Sequence, residues 1–340
     1  MKRIFGWLFI LAALALLVGP YMVPVKPLEG VVDPRDLADG NSRFATVDGL
    51  AVHYQESGQG EPAFLLLHGF GASTFTWREV MDDFGVYGRT VAYDRTAFGL
   101  TERPVAWDAP QENPYSVHAQ VSQGFGVLDT LGIDHAVLIG NSAGGRTALS
   151  LALARPERVR ALVLVSPAVG MGGGSTAGWL KPLLHTPQMD RLGPWLVRRI
   201  ASSGNEVLGR AWHDPTRLTP AVVAGYRKPL GARGWDRALW EFTRAPRDEP
   251  GKGGTIESRL PELASLPVLV ITGDDDRVVP VARSRAVADG IPGSRYVELA
   301  ECGHVPQEEC PDAFFSAVSA FLKDAGILAT SAPEEAPQER

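Results

Sequence analysis

Ser142 lies in Gly140-Asn141-Ser142-Ala143-Gly144, between an apolar run at 135–139 and helix-forming residues at 145–154 that Pro156 stops. A Gly-x-Ser-x-Gly at a strand-to-helix turn is a nucleophile elbow, so tight that the serine is strained and the glycines leave no room for a Cβ. It holds a hydroxyl at the carboxyl edge of a sheet, over a helix amino terminus that favours developing negative charge. A serine hydroxyl is a poor nucleophile until a base takes its proton. His304, in Gly303-His304-Val305-Pro306 just after an apolar strand, is the candidate base. The imidazolium it would form needs a buried carboxylate partner. Asp274, Asp275 and Asp276 follow the apolar run 268–271 and compete for that role.

The elements that must position these groups are legible as apolar runs. Residues 44–47 and 50–54, joined by Asp48-Gly49, predict a β-hairpin. Runs at 64–68, 90–94, 135–139, 159–165, 268–271 and 296–299 predict further strands, and helices are expected at 116–131 and 311–324. Continuous apolar strands alternating with helices predict a mostly parallel sheet covered on both faces. Between Pro167 and about Ile256 the rhythm breaks. That stretch holds five of the eight tryptophans, Trp179, Trp195, Trp212, Trp235 and Trp240, with helical pieces near 192–201 and 221–227. It reads as a helical lid whose aromatics form its own small core and in part line an apolar pocket.

Four motifs carry a resemblance. His68-Gly69-Phe70-Gly71, Gly140-Asn141-Ser142-Ala143-Gly144-Gly145, Gly273-Asp274-Asp275-Asp276-Arg277-Val278-Val279-Pro280 and Gly303-His304-Val305-Pro306 occur in the order of the α/β-hydrolase superfamily. The chain resembles its alpha/beta hydrolase fold-1 branch over roughly residues 44–322. The resemblance implies a mostly parallel eight-stranded sheet with helices on both faces and an inserted helical cap. It implies a Ser142, Asp276, His304 triad, because the family's acid stands three residues after Gly273 and four before Pro280. Asp274 and Asp275 are then turn formers. The oxyanion donors it implies are the backbone N–H groups of Phe70 and Ala143. His68 becomes a loop organiser, and Asp94-Arg95 a structural loop shaping the floor of the site. His53, His118, His135, His185 and His213 have no motif around them and are expected to be surface or packing residues.

A serine at the elbow argues against the haloalkane dehalogenase and epoxide hydrolase chemistries, which use a carboxylate there. It suits acyl transfer to water, and the expected activity is a carboxylesterase or lipase-like cleavage of an apolar ester through an acyl-enzyme. Asn141 before Ser142 keeps open a carbon–carbon bond hydrolase of the meta-cleavage-product type. A cofactor-free perhydrolase and a triad-retaining small-molecule receptor are further alternatives. No metal or organic cofactor is expected.

Length and charge bound the rest. The 340 residues suit one large α/β domain or two smaller ones, and a net charge of −6 gives no reason to expect nucleic-acid binding. Lys2 and Arg3 precede an apolar run from Ile4 to Val18 that continues loosely to Val25. Residues 1–25 are therefore expected to form a signal anchor, with the catalytic domain on the outer side of a membrane; cleavage as a signal peptide and secretion is the alternative. Residues 26–42 read as a stiff tether, 43–167 and 259–325 as the two parts of the core, 168–258 as the cap, and 326–340 as a disordered acidic tail. The stretch 171–259 carries 14 Lys and Arg against 8 Asp and Glu, a surplus that reads as a solvated face or, alternatively, one oriented toward anionic lipid. Cys302 and Cys310 flank His304. In an exported protein they can form a disulfide bracing the histidine loop, or they are two small buried hydrophobes.

Overall fold

The computed structural model describes residue 7 and residues 17–104, 106–107, 113–170, 178–202, 204–245 and 255–329. Eight strands form one sheet: β1 (Arg43–Val47), β2 (Leu50–Ser57), β3 (Ala63–Leu67), β4 (Thr90–Tyr93), β5 (Ala136–Asn141), β6 (Val159–Val165), β7 (Val268–Gly273) and β8 (Arg295–Leu299). Their spatial order is β1-β2-β4-β3-β5-β6-β7-β8. The hairpin β1–β2 and the pair β2–β4 are antiparallel, and every other pairing is parallel.

The central strands β3, β5 and β7 are buried at every position. Both sheet faces are covered, so these strands need apolar side chains on each side instead of alternation. The period of two is still visible in where they point. Leu65 and Leu67 join Phe125 and Leu128 of α2 (Val117–Thr130) and Ala148 and Ala152 of α3 (Ala143–Ala154). Phe64 and Leu66 join Phe84 of α1 (Met81–Tyr87) and, on the same face, Phe314, Val318 and Phe321 of the closing helix Pro311–Asp324.

Four α-helices of eight or more residues lie in the described chain between β6 and β7: α4 (Pro187–Ser202), α5 (Gly204–Ala211), α6 (Pro220–Arg227) and α7 (Trp235–Arg244). The expected helical pieces at 192–201 and 221–227 fall on the later part of α4 and nearly all of α6, and α5 and α7 are not anticipated. Trp235 and Trp240 pack with Val197 in this layer's own core, and Trp212 packs with Ala211 and Val305. The side chain of Trp179 lies outside the described residues.

The amino-terminal expectations need correction. Residues 1–6 and 8–16, most of the apolar run, lie outside the described residues. Residues 17–22 are helical, but no described helix is long and apolar enough to cross a membrane. The expected anchor, the outer-side placement, the secreted alternative and the membrane contact are withdrawn on that finding. Nor do residues 26–42 stand off as a tether. Gln188, Arg191 and Arg198 of α4 donate to the carbonyls of Leu17, Val23 and Lys26. Val32 donates to Gly231 O at 2.9 Å and accepts from Arg233 N at 2.8 Å. Leu28 and Val31 pack against the Trp235–Trp240 cluster. The segment is sewn to the helical layer. At the other end, Leu328 is buried against the core, so order extends into the expected tail; residues 330–340 lie outside the described residues.

Candidate active site

The elbow has the strain its sequence requires. Ser142 links β5 to α3 with φ 54°, a left-handed conformation that an L-residue adopts only where surrounding structure enforces it. A Cβ on Gly140 would stand 2.5 Å from Gly144 O, and one on Gly144 would stand 2.1 Å from Leu67 O. Both contacts are with backbone, which cannot swing aside. Glycine at these two positions is therefore what lets the turn close against β3. Ser142 is mostly buried, and α3 begins at the next residue with its first N–H groups unpaired within the helix.

His304 and Asp276 meet from two loops at the same sheet edge. His304 Nδ1 lies 2.8 Å from Asp276 Oδ2, and Asp276 Oδ1 accepts from Val278 N at 2.9 Å and Val279 N at 2.8 Å. Burial would push the Asp276 carboxyl up; the hydrogen bond and charge of His304 and the two backbone donors outweigh it and hold the group below 3.8. Asp274 accepts from Cys302 N, and Asp275 engages Arg277 and His213, so neither competes for His304. With Nδ1 committed, Nε2 is the nitrogen left to handle a proton. Asn141 donates Nδ2–H to His304 O at 3.0 Å, tying the elbow strand to the histidine loop. Ser142 and His304 are not directly hydrogen-bonded, a contact that often tightens only with substrate in place.

The loop after β3 lies against the elbow: a Cβ on Gly69 would sit 3.3 Å from Ser142 Cβ. His68 is fully buried, with Nδ1 donating to Gly69 O at 2.7 Å and Nε2 accepting from Arg95 N at 3.1 Å. Burial, reinforced by the Arg95 charge, pushes its imidazole down to about 3, so it is neutral and both nitrogens are occupied. That is a loop organiser. Phe70 is half-exposed and meets Phe98 and Phe242 edge-on or tilted at 5.6 and 5.9 Å. His118, His135 and His185 are exposed. His53 is buried on Asp94 at 2.7 Å, and His213 faces Asp275 at 2.8 Å.

Several positioning groups carry no sequence signal. Glu309 is almost wholly buried; its carboxylate accepts from Gly303 N, His213 N and Asp214 N at 2.7, 2.9 and 2.8 Å. His304 N donates to Ala211 O at 2.7 Å, so the histidine loop and the end of α5 are one hydrogen-bonded unit. Next to it, buried Glu308 accepts from Thr76, Arg78 and the Tyr226 hydroxyl of α6. An acid near a chain turn would ordinarily be read as solvated. Cys302 and Cys310 are joined in a disulfide across the same loop.

A cavity of about 240 Å³ opens over Ser142. Phe70, Tyr115, Val117 and Val279 give it apolar walls, while α7 and the residue after it contribute Phe242 and Ala245. No described tryptophan of the helical layer lines it, contrary to expectation; those rings are consumed in the layer's own packing. Arg95, Gln120, Arg146 and Thr147 supply its polar surface.

A family model described as alpha/beta hydrolase fold matches residues 62–311. The chain is 32% identical over 285 residues to 2-hydroxymuconate semialdehyde hydrolase of Pseudomonas putida, covering 82% of this chain and 93% of that one. It is 28% identical over 312 residues to 2-hydroxy-6-oxo-6-phenylhexa-2,4-dienoate hydrolase of Comamonas testosteroni, covering 85% and 99%. The solved structure of a membrane phospholipase A, described as a bacterial virulence factor, is similar at a TM-score of 0.66 and 25% identity over 96% of this chain and 99% of that one. Sheet order, elbow and matched span agree: the chain belongs to the alpha/beta hydrolase fold family.

Proposed function

We propose that this hydrolase cleaves a carbon–carbon bond next to a carbonyl in an oxo-dienoate of the meta-cleavage-product type. Ser142 serves as nucleophile, His304 as base and then acid, and Asp276 as the carboxylate that orients and stabilises the imidazolium. The supporting observation is the 32% identity to 2-hydroxymuconate semialdehyde hydrolase over most of both chains. Ester cleavage, the first expectation from sequence, uses the same groups and is the second reading. It is favoured by the likeness to the phospholipase A structure, which extends over 96% of this chain. Nothing in the site favours a perhydrolase or a receptor.

In the first step Ser142 Oγ attacks the carbonyl carbon as His304 Nε2 takes its proton. Charge then collects on the carbonyl oxygen, where the N–H groups of Phe70 and Ala143 are the candidate donors, each worth on the order of 3 kcal/mol in the transition state. Cleavage uses the keto tautomer of the substrate, in which C5 has gained a proton and the 2-hydroxyl has lost one. The C5–C6 bond then breaks with its electron pair passing through the C3–C4 double bond to the C2 oxygen, which takes the proton from His304. Water, deprotonated by His304, then releases the acyl group from Ser142. The helical layer between β6 and β7 acts as the cap, closing the cavity through Phe242.

Turnover of 2-hydroxy-6-oxohepta-2,4-dienoate and of p-nitrophenyl butyrate, compared as kcat/KM on one preparation, tests the choice. The oxo-dienoate is expected to win by at least about tenfold, a difference of roughly 1.4 kcal/mol. Efficient ester turnover with none of the oxo-dienoate establishes the second reading instead.

A further inference from the structure

We propose that Arg95, with Gln120 and Thr147, forms a subsite for a carboxylate group of the substrate inside the Ser142 cavity. Arg95 is 1% exposed. Its Nη1 donates to Gln120 Oε1 at 2.8 Å and Thr147 Oγ1 at 3.1 Å, while Nε and Nη2 have no hydrogen-bond partner among the described residues. The neighbouring carboxylate, Asp94, is committed elsewhere, to Thr74 N, Leu100 N and His53. The described residues that line the cavity include no Asp or Glu. The rings of Phe98 and Phe242 stand 5.2 and 6.0 Å from the guanidinium and keep water away from its faces.

A buried cation without a counter-ion is costly, and folded proteins pair such groups. Buried Glu308 shows the usual solution in this chain, with Arg78 against it. Arg95 lacks that solution among the described residues, and it lines the space that substrate enters. A guanidinium offers a planar fork matched to a carboxylate. The spacing fits a short chain. Thr147 lies five residues beyond Ser142 on α3, about 7 Å along the helix axis. That is roughly the span between the carboxylate and the 6-oxo carbon of an oxo-hexadienoate. The subsite deepens the proposed function by naming what holds the acid end of the substrate, but an ester bearing a distal carboxylate would use it equally.

p-Nitrophenyl hemiglutarate and p-nitrophenyl valerate are close in length and differ in charge. The wild-type protein is expected to favour the hemiglutarate in kcat/KM by on the order of 10- to 100-fold, the range of a charge-assisted hydrogen bond. In Arg95→Gln the ratio should collapse to one or below, chiefly through KM of the charged ester, with part of it kept in Arg95→Lys. Wild-type preference for the valerate, or an unchanged ratio in Arg95→Gln, overturns the subsite. If Arg95→Gln does not fold, competitive inhibition of the wild type decides. Inhibition by glutarate and none by its dimethyl ester supports the subsite, and equal behaviour of the two rejects it. Failure of the function is a separate result. A wild type that ignores the oxo-dienoate yet selects the hemiglutarate keeps the subsite, whereas an oxo-dienoate hydrolase indifferent to Arg95→Gln keeps the function and loses the subsite.

Discussion

Among the described residues there are two buried histidine–carboxylate pairs, and each has a serine nearby. At one, Asp276 holds His304 at 2.8 Å beside the elbow of Ser142. At the other, Asp94 holds His53 at 2.7 Å, and His53 Nε2 lies 2.9 Å from Ser42 Oγ. By side-chain distances alone the second is the more complete triad. Its surroundings say otherwise. Ser42 lies at a turn, and its hydroxyl donates to Asp39 at 3.1 Å, so its proton is already placed. Asp94 is fastened by the N–H groups of Thr74 and Leu100, and Thr101 Oγ1 donates to its carbonyl. This pair joins the hairpin to the loop after β4. Ser142 instead has a strained backbone, a helix amino terminus and the cavity. A nucleophile is made by the backbone around the serine as much as by the histidine beside it.

Mutation should separate the two sites. Ser142→Ala is expected to cut turnover by on the order of 10⁴- to 10⁶-fold, measured on whichever substrate is active. Ser42→Ala should leave kcat/KM within about a factor of two, because no step passes through it. Asp276→Asn should lower kcat by roughly 10³- to 10⁴-fold with little change in the unfolding midpoint. His53→Gln should do the reverse, costing about 2–4 kcal/mol in chemical denaturation while folded molecules keep their kcat.

Acid sharpens the contrast. Burial would push Asp94 up, but the hydrogen bond and charge of His53 outweigh it and hold the carboxyl below 3.8. Its contribution to stability is therefore present above 3.8 and lost as pH falls below that value. The stability gap between wild type and Asp94→Asn should narrow on acidification through that window, read from urea midpoints. Reducing Cys302–Cys310 is expected to touch stability more than turnover. Opening so short a loop should cost about 2.5 kcal/mol, and turnover should fall modestly because Glu309 still holds Gly303.

The core and the elbow were legible because each rests on a local rule. Residues 64–67 and 268–271 are continuous apolar runs, and Gly140 and Gly144 are forced by a turn of one geometry. The family's acid position could be picked from three adjacent aspartates only by the spacing of a family pattern; of the three, Asp276 is the one hydrogen-bonded to His304, while Asp274 and Asp275 have other partners. What stayed hidden depends on distant partners. Leu28 and Val31 look like isolated apolar residues in a Pro-rich linker until Trp235 and Trp240 are brought against them. Helix α5 contains Gly204 and Gly209, which weaken its local signal, and its position is fixed by Glu309 from nearly a hundred residues away. The resemblance places Arg95 in a loop shaping the floor of the site, but its burial stayed hidden, because burial of a single cation leaves no periodic trace. The contacts of the amino-terminal segment stayed hidden for the same reason: hydropathy alone says nothing of the carbonyls at 17, 23 and 26 being taken by α4.

Labelling with a fluorophosphonate, followed by peptide mapping, asks most directly which serine is the nucleophile. The adduct is predicted on Ser142 alone, at one equivalent per chain, and absent from Ser142→Ala. An adduct on Ser42, or a folded protein that takes up no label while still hydrolysing substrate, would contradict the assignment of the elbow as the site of chemistry.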